Sequence, residues 1–109
     1  MSDYPTNAEL RTICNWTGTF KGLWEYVVEL WHWPDWGVKV EVGETFDKLE
    51  LHTGGWSGNE SIMYALERSK SMFYQYFATE WHRGGHYFFE VQHDLWDWAP
   101  KAKEADAVS

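Results

Sequence analysis

Apolar residues recur at intervals of three and four in the first third of the chain. Phe20, Leu23, Trp24, Val27, Leu30 and Trp31 fall on one side of a helical projection, and Lys21, Glu25 and Glu29 on the other. This spacing predicts an amphipathic helix from Phe20 to Trp33. It stops there because Pro34 disfavours helical geometry in the residue before it and has no amide to donate. Leu10, Ile13 and Cys14 keep the same spacing over a shorter run, which predicts a helix that starts behind an N-cap at Thr6 or Asn7 and ends near Asn15. Ser57-Gly-Asn-Glu60 has the form of a capping box, with Ser57 as the cap of a third helix that runs through Ile62, Met63, Leu66 and the stem of Arg68 to about Ser69.

Elsewhere the period changes to two. Val38 to Val42 alternates strictly, and Phe46 to Thr53 sets Leu49 and Leu51 against Lys48, Glu50 and His52. With Gly43-Glu-Thr as the reversal, the two runs form a hairpin with one apolar and one charged face, on which Glu41 and Glu50 are expected to face each other. Met72 to Trp81 fits a strand or a helix by spacing alone; its aromatic density favours a strand, joined through Arg83-Gly-Gly to another aromatic strand, His86 to Gln92. The order helix, helix, hairpin, helix, hairpin reads as an α+β domain, a four-stranded antiparallel sheet with helices packed on one face. No internal repeat is visible beyond the two hairpins. Asp94 to Pro100 brings two tryptophans back to the domain, whereas residues 101–109 have little apolar content to dock with. The expected organisation is one domain over 1–100 and a frayed acidic tail over 101–109.

The 109 residues are enough for one core, which at this size buries roughly two thirds of the surface of the unfolded chain. Nine tryptophans and 44% hydrophobic residues separate the chain from disordered compositions. Cys14 is the single cysteine, so no internal disulfide forms, and the N-terminus has neither the basic start nor the apolar run of a secretion signal. The apolar stretch around Leu23 to Trp33 is interrupted by Glu25, Glu29 and His32 and is too short for a membrane span. A cytoplasmic protein is the expectation. The net charge of −8 disfavours nucleic acid and favours a basic partner. Glu25, Glu29, Asp35, Glu41, Glu44, Asp47 and Glu50 are opposed by only Lys39 and Lys48 over the same stretch. Solubility accounts for many such charges singly; their summed field also steers association.

The chemistry of individual motifs is weak. Gly55-Trp-Ser-Gly-Asn59 resembles a nucleophile elbow but fails at its last position, where Asn59 stands instead of glycine. An anion at the same turn would meet Glu60 and no nearby Lys or Arg, and there is neither a P-loop nor any cofactor motif. His82 and His86 bracket a turn and would need His52 or His93 to complete a metal site, a spacing that is not diagnostic. Trp56 and Trp81 are the residues least explained by an ordinary core. A ring at either position seals the end of the sheet or, beside Arg83 and His86, forms part of an interface.

Thr53-Gly-Gly-Trp-Ser-Gly-Asn-Glu60 and Arg83-Gly-Gly-His-Tyr-Phe-Phe-Glu90 resemble segments of a group of small phage and prophage proteins, over roughly Val38 to Val91. The resemblance implies a viral origin and expression inside a bacterial cell, and carries no activity or functional residue with it. The leading expectation is a non-enzymatic phage accessory protein that binds and inhibits a host protein with a basic surface, such as a CRISPR or other defence complex. In size and acidity it is similar to many anti-CRISPR proteins. Glu41, Glu44, Asp47 and Glu50 would steer, and Trp56, Trp81, Arg83 and His86 would make contact. The alternative is a small ligand-binding or hydrolytic domain with a pocket between the two Gly-rich segments, which requires His86 within bonding reach of Ser57 or Glu60.

Overall fold

The computed structural model describes residues 4–99; the tail expected at 101–109 lies outside them. Its elements are α1 (Asn7–Cys14), α2 (Phe20–Leu30), α3 (Pro34–Gly37), β1 (Val38–Val42), β2 (Phe46–His52), α4 (Ser57–Glu67), α5 (Phe73–Phe77), β3 (Ala78–His82), β4 (His86–Gln92) and a 3-10 turn (His93–Leu95). The four strands form one antiparallel sheet in the order β1-β2-β4-β3, with helices packed on one face, as the two periodicities predict.

Strand alternation explains which face they cover. Leu49 and Leu51 on β2 and Phe89 and Val91 on β4 are fully buried, and they pack with Phe20, Leu23 and Val27 of α2, Ile62, Met63 and Leu66 of α4, and Phe73 and Phe77 of α5. The intervening residues Lys48, Glu50 and His52, and His86, Phe88 and Glu90, point the other way. Among the described residues no helix packs across that side, and the Trp36 ring of α3 reaches only its edge, 6.1 Å from His52 between ring centres.

The element order also contains a repeat that the sequence conceals. An 11-residue helix, a short helix entered through a left-handed residue, a five-residue strand and a seven-residue strand occur twice: α2-α3-β1-β2 and α4-α5-β3-β4. Each β4 position lies 40 residues after its β2 equivalent, and Leu49 pairs directly with its own counterpart Phe89, so the two halves meet about a pseudo-twofold axis. Few side chains match between the halves apart from Glu50 with Glu90 and Trp56 with Trp96.

Four local expectations are corrected. Met72 to Trp81 is not one strand: Met72 takes a left-handed conformation (φ 64°), Phe73–Phe77 is a helical turn, and only Ala78–His82 is strand. A helical turn sets residues four apart on one side, so Phe73 and Phe77 both reach Phe20, at 5.8 and 4.8 Å between ring centres. α2 ends at Leu30 rather than Trp33, because Trp31 becomes extended and its indole donates to the His52 carbonyl (3.3 Å). Ser57 is not a cap. It lies inside α4, and its hydroxyl donates to the Tyr4 hydroxyl (2.9 Å); the capping box is at Thr6 and Glu9, with bonds of 3.1 and 2.8 Å. Glu41 and Glu50 do not face each other, since the register sets Glu41 opposite Lys48 and Glu50 opposite Lys39.

The two Gly-rich segments meet. The Thr53 amide donates to the Gly85 carbonyl (2.9 Å), which joins the end of β2 to the turn before β4. Thr53 is buried, Gly85 has φ +84°, and a methyl at Gly85 would collide with the Thr53 side chain. Gly58 has an equally specific reason: the Trp56 ring lies against its Cα, where no Cβ fits. Buried Asn59 clamps the α2–α3 junction, its Oδ1 accepting from the His32 amide (2.8 Å) and its Nδ2 donating to the His32 carbonyl (3.0 Å). At the other end of the sheet the carbonyls of Trp98 and Trp96 accept from the Phe20 and Lys21 amides (3.0 and 2.8 Å). These bonds satisfy donors at the start of α2 that have no partner within the helix. They also return the C-terminal tryptophans to the core, as the sequence predicts. Replacing Gly85 with alanine combines left-handed strain with the clash at Thr53, and the expected loss is about 3 kcal/mol in denaturant unfolding.

Candidate functional site

The helix-free face carries the densest set of chemically active side chains. β4 runs through its middle with His86 and Phe88. Glu50 and His52 lie beside them on β2, and Glu80 and His82 on β3. Each flanking strand therefore presents a Glu–His couple two residues apart. His52 Nε2 is 2.9 Å from Glu50 Oε1, and His82 Nε2 is 2.8 Å from Glu80 Oε2. Both imidazoles stand nearly perpendicular to the Phe88 ring, at 5.9 and 5.4 Å between centres. His52 also bonds His86 through their Nδ1 atoms (2.7 Å). With His52 Nε2–H donating to Glu50, its neutral Nδ1 accepts, so His86 donates from Nδ1 and keeps a lone pair on Nε2.

The other candidate chemistry does not assemble. Ser57 and Glu60 line a cleft between α1 and α4 that has no histidine among its lining residues, while His86 is engaged with His52. His93 sits at the opposite end of the sheet, bonded to Asp47, and among the described residues no group of three or more His, Cys, Asp or Glu is disposed to hold a metal ion. Burial, reinforced by the Glu67 carboxylate, pushes the Tyr74 and Tyr87 phenols above the ordinary tyrosine range, so both stay protonated near neutral pH. Among the described residues no helix is long and apolar enough to cross a membrane.

The residues singled out in the sequence separate into two groups. Glu41 and Glu44 lie at the end of the sheet marked by the β1–β2 turn; Trp81, Arg83 and His86 lie at the other end, with the β3–β4 turn. A seven-residue strand separates the ends by roughly 20 Å. Glu50 lies between them and belongs to the histidine cluster. Trp56 is committed to structure, stacked on His32 (4.1 Å) and against Tyr4 (4.7 Å). Trp81 is exposed, as are Trp33 and Trp36, which the sequence reading passed over. Trp-Pro-Asp-Trp was a signal for both: Pro34 ends the amphipathic pattern, so neither ring has a place on the buried stripe. The register does bring together His52, His82 and His86, which the spacing around the turn pointed to, and adds Glu80 and Phe88, which no local signal marks.

Asp47 faces inward and is only 14% exposed. It accepts from His93 Nε2 (2.8 Å), Trp96 Nε1 (2.9 Å) and, at 3.4 Å, the Gly43 amide, so it anchors the C-terminal segment and is not free to steer a partner. Comparison with known protein families, with curated proteins and with solved structures returns no match.

Burial alone would raise the Asp47 carboxyl, but the bonds from His93 and Trp96, the His93 charge and the Gly43 amide together hold it below the ordinary aspartate value. A depressed carboxyl contributes stability above the unfolded value, about pH 4, and loses it as the pH falls through the lower folded value. Asp47→Asn should therefore cost about 1–2 kcal/mol at neutral pH. The gap to the parent chain, followed by urea unfolding, should narrow as the pH falls below about 4.

Proposed function

We propose that this chain is a non-enzymatic accessory protein that binds a basic protein surface through the open face of its sheet. The observation that carries the reading is the uncompensated charge of that face. Glu41, Glu50, Glu80 and Glu90 share it with Lys39 and Lys48, yet among the described residues no Lys or Arg comes within 4.0 Å of a carboxylate; the three close pairs all involve histidine. Four carboxylates against two lysines leave the face net negative, and because a neutral histidine bonded to Glu50 or Glu80 does not cancel its charge, the field projects outward and accelerates encounter with a cationic surface. The aromatic ring on that face is Phe88, half-buried between β2 and β3, whereas exposed Trp81 alternates onto the helical side opposite Tyr87 and lies at the rim of the surface.

The resemblance of the two Gly-rich segments to small phage and prophage proteins supports a partner in a bacterial host. A nucleic-acid-handling complex such as a CRISPR effector presents a basic channel of the required sign, and an acidic domain seated in it would exclude nucleic acid and inhibit the complex in the host cytoplasm. Affinity capture from bacterial lysate tests this reading. The expected result is a nucleic-acid-handling complex retained at low salt and released at high salt. Glu41→Lys with Glu44→Lys should slow its association by roughly tenfold and flatten the salt dependence. Association unchanged by that charge reversal would contradict the reading.

A further inference from the structure

The open face contains a groove of about 200 Å³ lined by Lys48, Glu50, Thr79, Glu80, Phe88 and Glu90. Phe88, half-buried, lies in its middle. Glu50 stands on the strand to one side and Glu80 on the strand to the other, both directly opposite Phe88 in register. Two interstrand spacings separate their backbones, roughly 10 Å, which leaves room between the carboxylates for one planar cation over an aromatic ring.

We propose that this groove is a receptor slot for the guanidinium of an arginine on the partner protein, held by Glu50 and Glu80 against Phe88 and released when His52 and His82 are protonated. The proposal rests on the reading of the open face as the partner surface and names the chemistry that the surface takes. Arginine fits better than lysine because its planar fork offers donors in two directions at once and stacks on an aromatic ring, whereas an ammonium is a compact, strongly hydrated charge. Lys48 is the one cation in the lining. It lies opposite Glu90, two positions along the strand from Glu50, and therefore occupies the far end of the groove.

The flanking histidines give the slot a sign-defined dependence on pH. While His52 and His82 are neutral, each donates Nε2–H to its glutamate and leaves the carboxylate charge in place. Protonated, each becomes an ion-pair partner and cancels that charge, so an incoming guanidinium meets a neutral couple. The remaining charged or titratable groups around the couples are His86, bonded to His52; Arg83 in the adjoining turn; Lys39, opposite Glu50 on β1; and Glu90 with Lys48. A generic acidic surface would hold cations until its carboxylates protonate, whereas this slot weakens as soon as its flanking histidines gain protons.

Titration of the isotopically labelled full chain with hexaarginine and with hexalysine, followed by NMR, tests the assignment. Hexaarginine should shift the Phe88, His52 and His82 ring signals. Its affinity should exceed that of hexalysine, and should fall by roughly three- to fivefold in Glu80→Gln and again between pH 7.5 and pH 5.5. Phe88→Leu should remove the arginine preference, with the amide spectrum reporting that the fold is intact. The assignment is overturned if the shifts spread over the whole acidic surface, if the two peptides bind alike, or if neither Glu80→Gln nor the pH change matters. Capture of a basic partner with a silent groove would leave the partner reading standing and overturn the slot; silence in both experiments would overturn both.

Discussion

The pairing of β2 with β4 in a single register, with Leu49 beside Phe89, is the constraint on which the rest of the molecule depends. In that register Leu49, Leu51, Phe89 and Val91 lie under the helices and Glu50, His52, His86 and Phe88 lie on the open side. A slip of one residue would exchange the two sets, exposing the core and burying carboxylates and imidazoles. The bond from the Thr53 amide to the Gly85 carbonyl fixes the register where β2 ends and β4 begins. The core and the candidate site are thus two faces of one pairing decision.

This pairing gives the Gly-rich segments an architectural meaning. Within Thr53 to Glu60, Thr53 is bonded to the facing turn, Trp56 folds over Gly58, and Asn59 clamps the α2–α3 junction. The similarity to a nucleophile elbow arises from the same strand-turn-helix geometry serving a different purpose. Asn59 is needed for its two-sided amide, which binds both the donor and the acceptor of His32. The distinctive string therefore encodes a junction, and the candidate site lies on residues between and beside the two segments.

Most of the fold was legible in the sequence because its signals are local. Heptad-like spacing over Phe20 to Trp31, alternation over Val38 to Val42, and the Arg83-Gly-Gly turn each specify an element without reference to the remainder. Misreadings occurred where tertiary contacts decide. Phe73 and Phe77 form a helical turn because both must reach Phe20, and Ser57 gives up capping for the Tyr4 hydroxyl. The candidate site was less legible than the fold. Its members come from β2, β3 and β4, and their proximity follows from strand order, which no single segment records. Asp47 shows the converse: one carboxylate among many in the sequence, it faces inward and secures the C-terminal segment instead of contributing to the outward field.

The central claim is that the open side of the sheet, rather than the helical side, meets the partner. Carboxyl footprinting of the chain, free and in the complex recovered with it, measures this directly because glutamates are distributed over both sides. The account predicts that Glu50, Glu80 and Glu90 become protected while Glu25, Glu29 and Glu60 react as in the free chain. Protection confined to Glu25, Glu29 and Glu60, with the sheet face as reactive as before, would contradict it.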